Sequence, residues 1–334
     1  MKAIVQDQYG SPDVLQLKEI DKPVIKDNEV LVRVHAASMH PDVWHVMRGK
    51  PYALRIMGSG LLKPRNPVPG TDVAGIVEAV GGDVTRFRPG EEVLGEIVRG
   101  HQWKNGGAFA EYASALEESL ALKPADASFE QAAAVPTSGL IAYENIRGRV
   151  DPGQRVLVNG AGGGVGIFAT QLAKGYGAEV TAVDTSDKLD MLRSIGADHV
   201  VDYTRDDFTD GTEPYDLIFD IPGNRSFEDL MGVLAPDANY IFIGHESYTG
   251  SGGRWIGSGM GRFIKMAIRS PFGSQPQGPP RPEETEDPIV VLAGFLEDGT
   301  ITPVIDRTFP LSDVPEALRY LEGGRAQGKV VITI

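Results

Sequence analysis

Residues 159–166 read Asn-Gly-Ala-Gly-Gly-Gly-Val-Gly and stand between an apolar run, Arg155 to Asn159, and a stretch from Val165 with helical apolar spacing. A strand that passes through such a loop straight into a helix belongs to few folds. Gly163 lets the backbone come close to a pyrophosphate, and Gly166 lets the helix pack tightly on the strand. Free amides at the helix start then face the phosphates. Gly160, Ala161, Gly163, Gly164, Val165 and Gly166 thus form the expected seat of a dinucleotide. Val165, Phe168 and Leu172 share one helical face, which would cover the sheet. A flexible linker would need neither strand nor helix beside it.

The surroundings fit that seat. Beyond Asp126 apolar segments alternate with helical ones: strand Arg155 to Asn159, helix from Val165, strand Glu179 to Asp184, helix to Ile195, strand His199 to Tyr203. Further strands are expected at Asp216 to Ile221 and Tyr240 to Gly244. Alternation at this pitch predicts a parallel, doubly wound Rossmann sheet, an α/β fold, with right-handed crossovers. Asp184 ends the second strand about 20 residues past the loop, where a carboxylate accepts hydrogen bonds from an adenosine ribose. A carboxylate there favours NADH. Thr185, Ser186, Lys188 and Tyr203 point the other way, because hydroxyls and a cation can cradle a 2′-phosphate. Thr185 or Ser186 can equally cap a helix. On these residues NADH and NADPH both stay open.

The first third of the chain differs. Glu29 to Ala37 alternates apolar and polar residues, and Thr71 to Val80, Glu91 to Val98, Phe109 to Ala113 and Leu120 to Leu122 read similarly, with turns at Gly81-Gly82 and Pro89-Gly90. This predicts a β-rich domain over residues 1–124, followed by the Rossmann domain over 125–272. His245 to Pro282 is a long Gly, Ser and Pro-rich excursion containing the basic apolar run Arg262 to Arg269. It is expected to hold one helix and to act as a lid or as a plain surface insertion. A helix around Ile289 to Leu296, a strand near Val304, a helix Val314 to Leu321 and a strand Lys329 to Ile334 should follow.

A net charge of -14 sets the chain against phosphate backbones and anionic surfaces, so neither nucleic acid nor membrane is an expected partner. No stretch approaches the length of a membrane span, and the opening MKAIVQDQYG has no apolar leader core, so a cytoplasmic location is expected. There is no cysteine, which excludes disulfides and thiolate zinc sites.

The order of these features resembles the medium-chain dehydrogenase/reductase superfamily, in its zinc-independent, quinone-oxidoreductase-like branch. The resemblance is carried by PGTDVAGIVEAVG (Pro69 to Gly81), RPGEEVLG (Arg88 to Gly95), GGAFAEYA (Gly106 to Ala113), the glycine loop, IGADHVVDY (Ile195 to Tyr203), YDLIFDIPG (Tyr215 to Gly223) and GKVVI (Gly328 to Ile332). It implies a GroES-like catalytic domain completed by residues 286–334, with NAD(P)H, NADPH by the family's habit, in the cleft between the domains. Zinc-dependent members place a Cys, a Gly-His-Glu and another Cys or Asp around the metal. The matching positions here are His40, Gly70-Thr71-Asp72, and Thr137 or Ser138, where hydroxyls are poor ligands, so no zinc is expected.

Without a Lewis acid, an acceptor already activated for hydride is the easier substrate. A quinone or an α,β-unsaturated carbonyl fits, provided that donors and a proton source stand near its oxygen. By resemblance His40, Asp42, His45 and Tyr52 line the substrate cleft. His40 replaces a common Asn, and His45 falls where a proton relay often lies. Asp42 can orient a His or cap a short helix started by Pro41. Thr137 and Gly244 are expected to approach the nicotinamide; a helix cap and a turn are the alternatives. Two other functions fit the loop: an enoyl-thioester reductase, with Arg254, Arg262, Lys265 and Arg269 meeting an acyl carrier's phosphates, and a nucleotide-binding redox sensor with little turnover. A homodimer is implied, Rossmann-sheet edges meeting across a two-fold axis.

Overall fold

The computed structural model describes residues 1–53, 55–97, 105–211, 213–244 and 286–334. The expected excursion, its helix and its four basic residues lie outside the described residues.

Two sheets organise the molecule. The first is built on β3 (Glu29–Ser38), an apolar run buried along most of its length. It pairs antiparallel with β4 (Asp72–Val80), with β6 (Tyr112–Leu116) and with the C-terminal β14 (Lys329–Thr333). β5 (Glu92–Glu96) and β7 (Leu120–Leu122) extend one side, and β13 (Ile305–Pro310) lies parallel to β14 on the other. The C-terminal strands therefore belong to the sheet of the N-terminal third. β1 (Lys2–Gln6) and β2 (Leu15–Glu19) form a separate antiparallel pair. Sequence reading missed this pair because β2, Leu-Gln-Leu-Lys-Glu, is mostly exposed and carries little apolar pattern.

The second sheet is wholly parallel among the described residues, in the order β10-β9-β8-β11-β12. Its strands are β8 (Arg155–Asn159), β9 (Glu179–Asp184), β10 (His199–Asp202), β11 (Tyr215–Asp220) and β12 (Leu234–Phe242). Its strands carry apolar runs because both faces are covered. On one face Phe168, Leu172 and Ile146 come from α4 (Gly164–Gly175) and α3 (Pro136–Ile146). On the other lie Phe208, Phe227 and Leu230. Strand order reverses between β8 and β11, and in such sheets the crevice for a ligand opens at the carboxyl ends of those strands.

The helices α1 (Pro41–Arg48) and α2 (Phe129–Ala134) belong to the first sheet's side. Ala132, Ala133 and Ala134 let α2 lie close on Ala36, Ala74 and Val331. Beyond α5 (Leu189–Ser194) and α6 (Phe227–Gly232), α7 (Pro288–Glu297) bridges the two cores through Leu292 and Ile289, and α8 (Val314–Glu322) closes the first.

Most elements fall within a few residues of expectation. The strand expected at Phe109 to Ala113 starts later, at Tyr112. The carbonyl of Phe109 accepts from the Ile4 amide at 2.9 Å, and Ala110 bridges Ala3, so this stretch first pairs with the N-terminal strand. No helix among the described residues is long and apolar enough to cross a membrane.

Candidate functional site

The glycine loop is tied to the end of β9. The amides of Gly160 and Ala161 donate to the Val183 carbonyl at 3.0 and 3.1 Å, and the Gly162 amide donates to Asp184 Oδ2 at 2.8 Å. A Cβ on Gly166 would lie 2.3 Å from the Gly160 carbonyl oxygen, so packing alone forbids a side chain there. Gly163 is different. Its backbone is ordinary (φ -87°, ψ 174°), and an added Cβ would meet nothing closer than 3.5 Å. Neither conformation nor packing requires glycine at 163, so the space it leaves suits a ligand's close approach. The first amides of α4 have no partner inside the helix, and no side chain caps it. These residues fit a dinucleotide's pyrophosphate.

A cleft of about 250 Å³ opens here between the two sheets, lined among others by Gly163, Asp184, Tyr203, His40, Ser138 and Lys329. Asp184 is buried, accepts also from the Thr185 amide at 2.9 Å, and has Lys188 Nζ 3.3 Å from its Oδ1. Its carboxylate is thus committed to the loop and to a cation, which alters the expectation of a free ribose acceptor. Lys188 and Tyr203 line the same wall. Burial, then the Asp184 charge, raises the Tyr203 hydroxyl above its ordinary range. Thr185 is the N-cap of the short turn at Ser186–Lys188 but makes no side-chain cap bond. Gly244 ends β12's continuation at positive φ (86°), its amide on the Ile221 carbonyl at 3.2 Å.

His40 faces the glycine loop from the other side. It caps α1, its Nδ1 lying 3.4 Å from the Asp42 amide and 3.1 Å from Asp42 Oδ2. With Nδ1 bare the ring caps the helix through the Asp42 amide; with Nδ1 protonated it donates to Asp42 Oδ2 instead. His40 Nε2 is buried without a hydrogen-bond partner. His45 and Tyr52 do not line this cleft: His45 Nδ1 donates to the Lys50 carbonyl at 2.9 Å, and Tyr52 lies under the Arg55 guanidinium, 4.8 Å from its ring centre. Burial pulls His45 below the usual histidine value.

Beneath His40 sits a buried polar cluster. Asp72 accepts from Ser38 Oγ at 2.7 Å, from the Thr137 amide at 3.1 Å, from the Thr137 hydroxyl and from Thr71 Oγ1 at 3.3 Å. Thr137 lies inside α3 and so is no cap. Its Oγ1 is also 3.1 Å from Glu96 Oε1. A hydroxyl has one proton to give, so two carboxylates around it are best served when Glu96 carries its own. Burial, reinforced by the Asp72 charge, pushes the Glu96 carboxyl up to about 7. Lys329 Nζ lies 3.6 Å from Asp72 Oδ2, and burial draws its ammonium below the ordinary lysine value. At the positions that match zinc ligands, Thr137 and Thr71 spend their protons on Asp72 and an ammonium stands beside the carboxylate. That donor set does not fit zinc. Among the described residues no group of three His, Asp or Glu could hold a metal.

Lys329 and Glu96 were not singled out from the sequence. A lysine opening the run Val-Val-Ile was the available signal, since a charge there is rare unless paired.

Two family models match: the alcohol dehydrogenase GroES-like domain over residues 26–125 and the zinc-binding dehydrogenase over residues 195–332. A 2-methylene-furan-3-one reductase of Solanum lycopersicum is 35% identical, covering 99% of this chain and 79% of the relative. An NADPH-dependent alkenal/one oxidoreductase, chloroplastic, of Arabidopsis thaliana is 34% identical with the same coverage, 99% and 79%. The solved quinone oxidoreductase of Coxiella burnetii superposes with a TM-score of 0.81 at 27% identity, covering 100% of this chain and 99% of that one.

Proposed function

We propose, given that the chain belongs to the quinone-oxidoreductase-like branch of the medium-chain dehydrogenase/reductase superfamily, that it reduces a quinone or α,β-unsaturated carbonyl with NAD(P)H and without a catalytic zinc. The observation that carries this reading is the buried, unpartnered Nε2 of His40 in the cleft that the glycine loop closes.

The loop from Gly160 to Gly166 would hold the pyrophosphate, and Lys188 with Tyr203 would hold the adenosine end. When bound, NAD(P)H supplies the hydride. As hydride adds to carbon, charge moves to the acceptor's oxygen, and a donor fixed in a dry site stabilises it strongly. His40 Nε2–H serves as that donor and then gives its proton. It gives that proton from the doubly protonated ring, in which Nδ1–H donates to Asp42 Oδ2, and is left neutral with Nδ1–H still held by Asp42. His45 and Tyr52 play no part in this step. Because Asp184 is neutralised by Lys188, we read the site as accepting a 2′-phosphate and hence NADPH.

Cofactor oxidation followed by absorbance, with small quinones, enones and acyl thioesters offered in turn, tests the reading. Quinones or enones should turn over and acyl thioesters should not. Turnover confined to thioesters would make the protein an enoyl-thioester reductase, and tight cofactor binding with no turnover on any acceptor would make it a sensor. We also read the protein as a homodimer through the β12 edge, which has no neighbouring strand among the described residues; a purely monomeric mass in solution overturns that.

A further inference from the structure

We propose that Lys329 is a positioning residue for His40, and that the Gly328-Lys329 dipeptide couples the cofactor seat to the proton donor. The proposal rests on the reading of His40 given above. Lys329 opens β14, is 1% exposed and lines the cleft. Its ammonium donates to the Met39 carbonyl at 3.2 Å and to Ser138 Oγ at 3.0 Å. Met39 immediately precedes His40, and the Met39 amide donates to the Val330 carbonyl at 2.9 Å. Both polar groups of Met39 are therefore held by two adjacent residues of one strand. His40 caps α1 from the next position, so the aim of its ring follows from how that backbone is held.

The preceding residue grips the other wall. The Gly328 amide donates to the Gly162 carbonyl at 2.9 Å, and Gly328 bridges Gly163. A side chain at 328 is barred: φ is +82°, and a Cβ would stand 2.4 Å from the Val304 carbonyl oxygen. The residue that leads into β14 thus touches the glycine loop, and the first two residues of the strand hold the Met39 backbone beside His40.

Stability does not explain the charge. Burying an ammonium is costly, and a buried pair replaced whole by apolar residues is often neutral or better for folding, although removing Lys329 alone would leave the Asp72 carboxylate buried without its cation. Asp72 would keep its bonds from Ser38, Thr137 and Thr71 without it. Holding Met39 does need a donor at that point, and methionine of similar length offers none.

A double-mutant cycle separates positioning from bulk structure. Lys329→Met should lower kcat about tenfold with His40 present and less than twofold in a His40→Ala background. In cofactor-free protein labelled with 15N-histidine, Lys329→Met should move the His40 ring signals and leave those of His35 and His199 in place. Equal losses in both backgrounds, or unmoved His40 signals, overturn the coupling and leave the reading of His40 intact. An unchanged kcat in His40→Ala alone overturns that reading instead. Should Lys329→Met fail to fold, Ser138→Ala removes one partner of the ammonium and should show the same pattern at about threefold; equal losses in both backgrounds again overturn the proposal.

Discussion

At His40 the fold leaves one buried ring nitrogen unpaired, although such a group costs about 1–3 kcal/mol. A ligand oxygen at that nitrogen would recover the loss. His40→Ala should therefore lower kcat by about 10²- to 10³-fold, the range for losing one fixed donor to a developing oxyanion. His40→Asn should retain part of the rate, since an amide can donate a hydrogen bond but not its proton; steady-state kinetics on both variants checks this. Glu96 yields a second prediction. Its carboxyl is raised in the folded protein from 4.5 to about 7. Between those values the folded chain holds a proton that the unfolded chain has lost, so stability falls as pH rises through that window. Glu96→Gln should remove the fall. Relative to wild type the variant should gain stability at pH 8, by at most about 3 kcal/mol, and nothing near pH 4. Urea unfolding across pH measures it, and a difference that does not vary with pH contradicts it.

The glycine loop was legible as an element because its demands are local: a strand end, a helix start and a close approach at Gly163. The strand-end acid Asp184 was legible too, but not the bonds it makes within the protein. Four side-chain and backbone groups converge on it, including the Gly162 amide and the Lys188 ammonium. Losing that anchor strands a buried amide. Asp184→Ser should therefore weaken NADH and NADPH alike, each about tenfold, with little change in their ratio. Fluorescence titration decides it: a swing toward NADPH with loss of NADH alone would restore a ribose-binding role. Gly166→Ala should be worse for the fold, because a Cβ 2.3 Å from a backbone oxygen forces the loop apart. About 1–3 kcal/mol of stability should be lost in thermal unfolding, together with cofactor affinity.

At the scale of the whole molecule, the site exists only because β14 returns to pair with β3. Lys329 meets Met39 across 290 residues of sequence, and no local pattern in either segment announces the meeting. The same return brings Gly328 to the loop and sets Asp72 beside an ammonium. This is why the two-sheet architecture could be read from strand and helix periodicity, while Lys329, Glu96 and the role of Ser138 could not. It also bears on zinc, since the chain places hydroxyls that donate to Asp72 at positions that match zinc ligands of the zinc-dependent branch, with an ammonium beside that carboxylate. The most direct test of hydride delivery without a metal uses protein stripped by a strong chelator and NADPH deuterated at the transferring position, with an enone as acceptor. The account predicts saturable turnover unaffected by the chelator, with the deuterium recovered on the product carbon. Turnover that disappears on chelation and returns with added zinc, or a product free of deuterium, would contradict it.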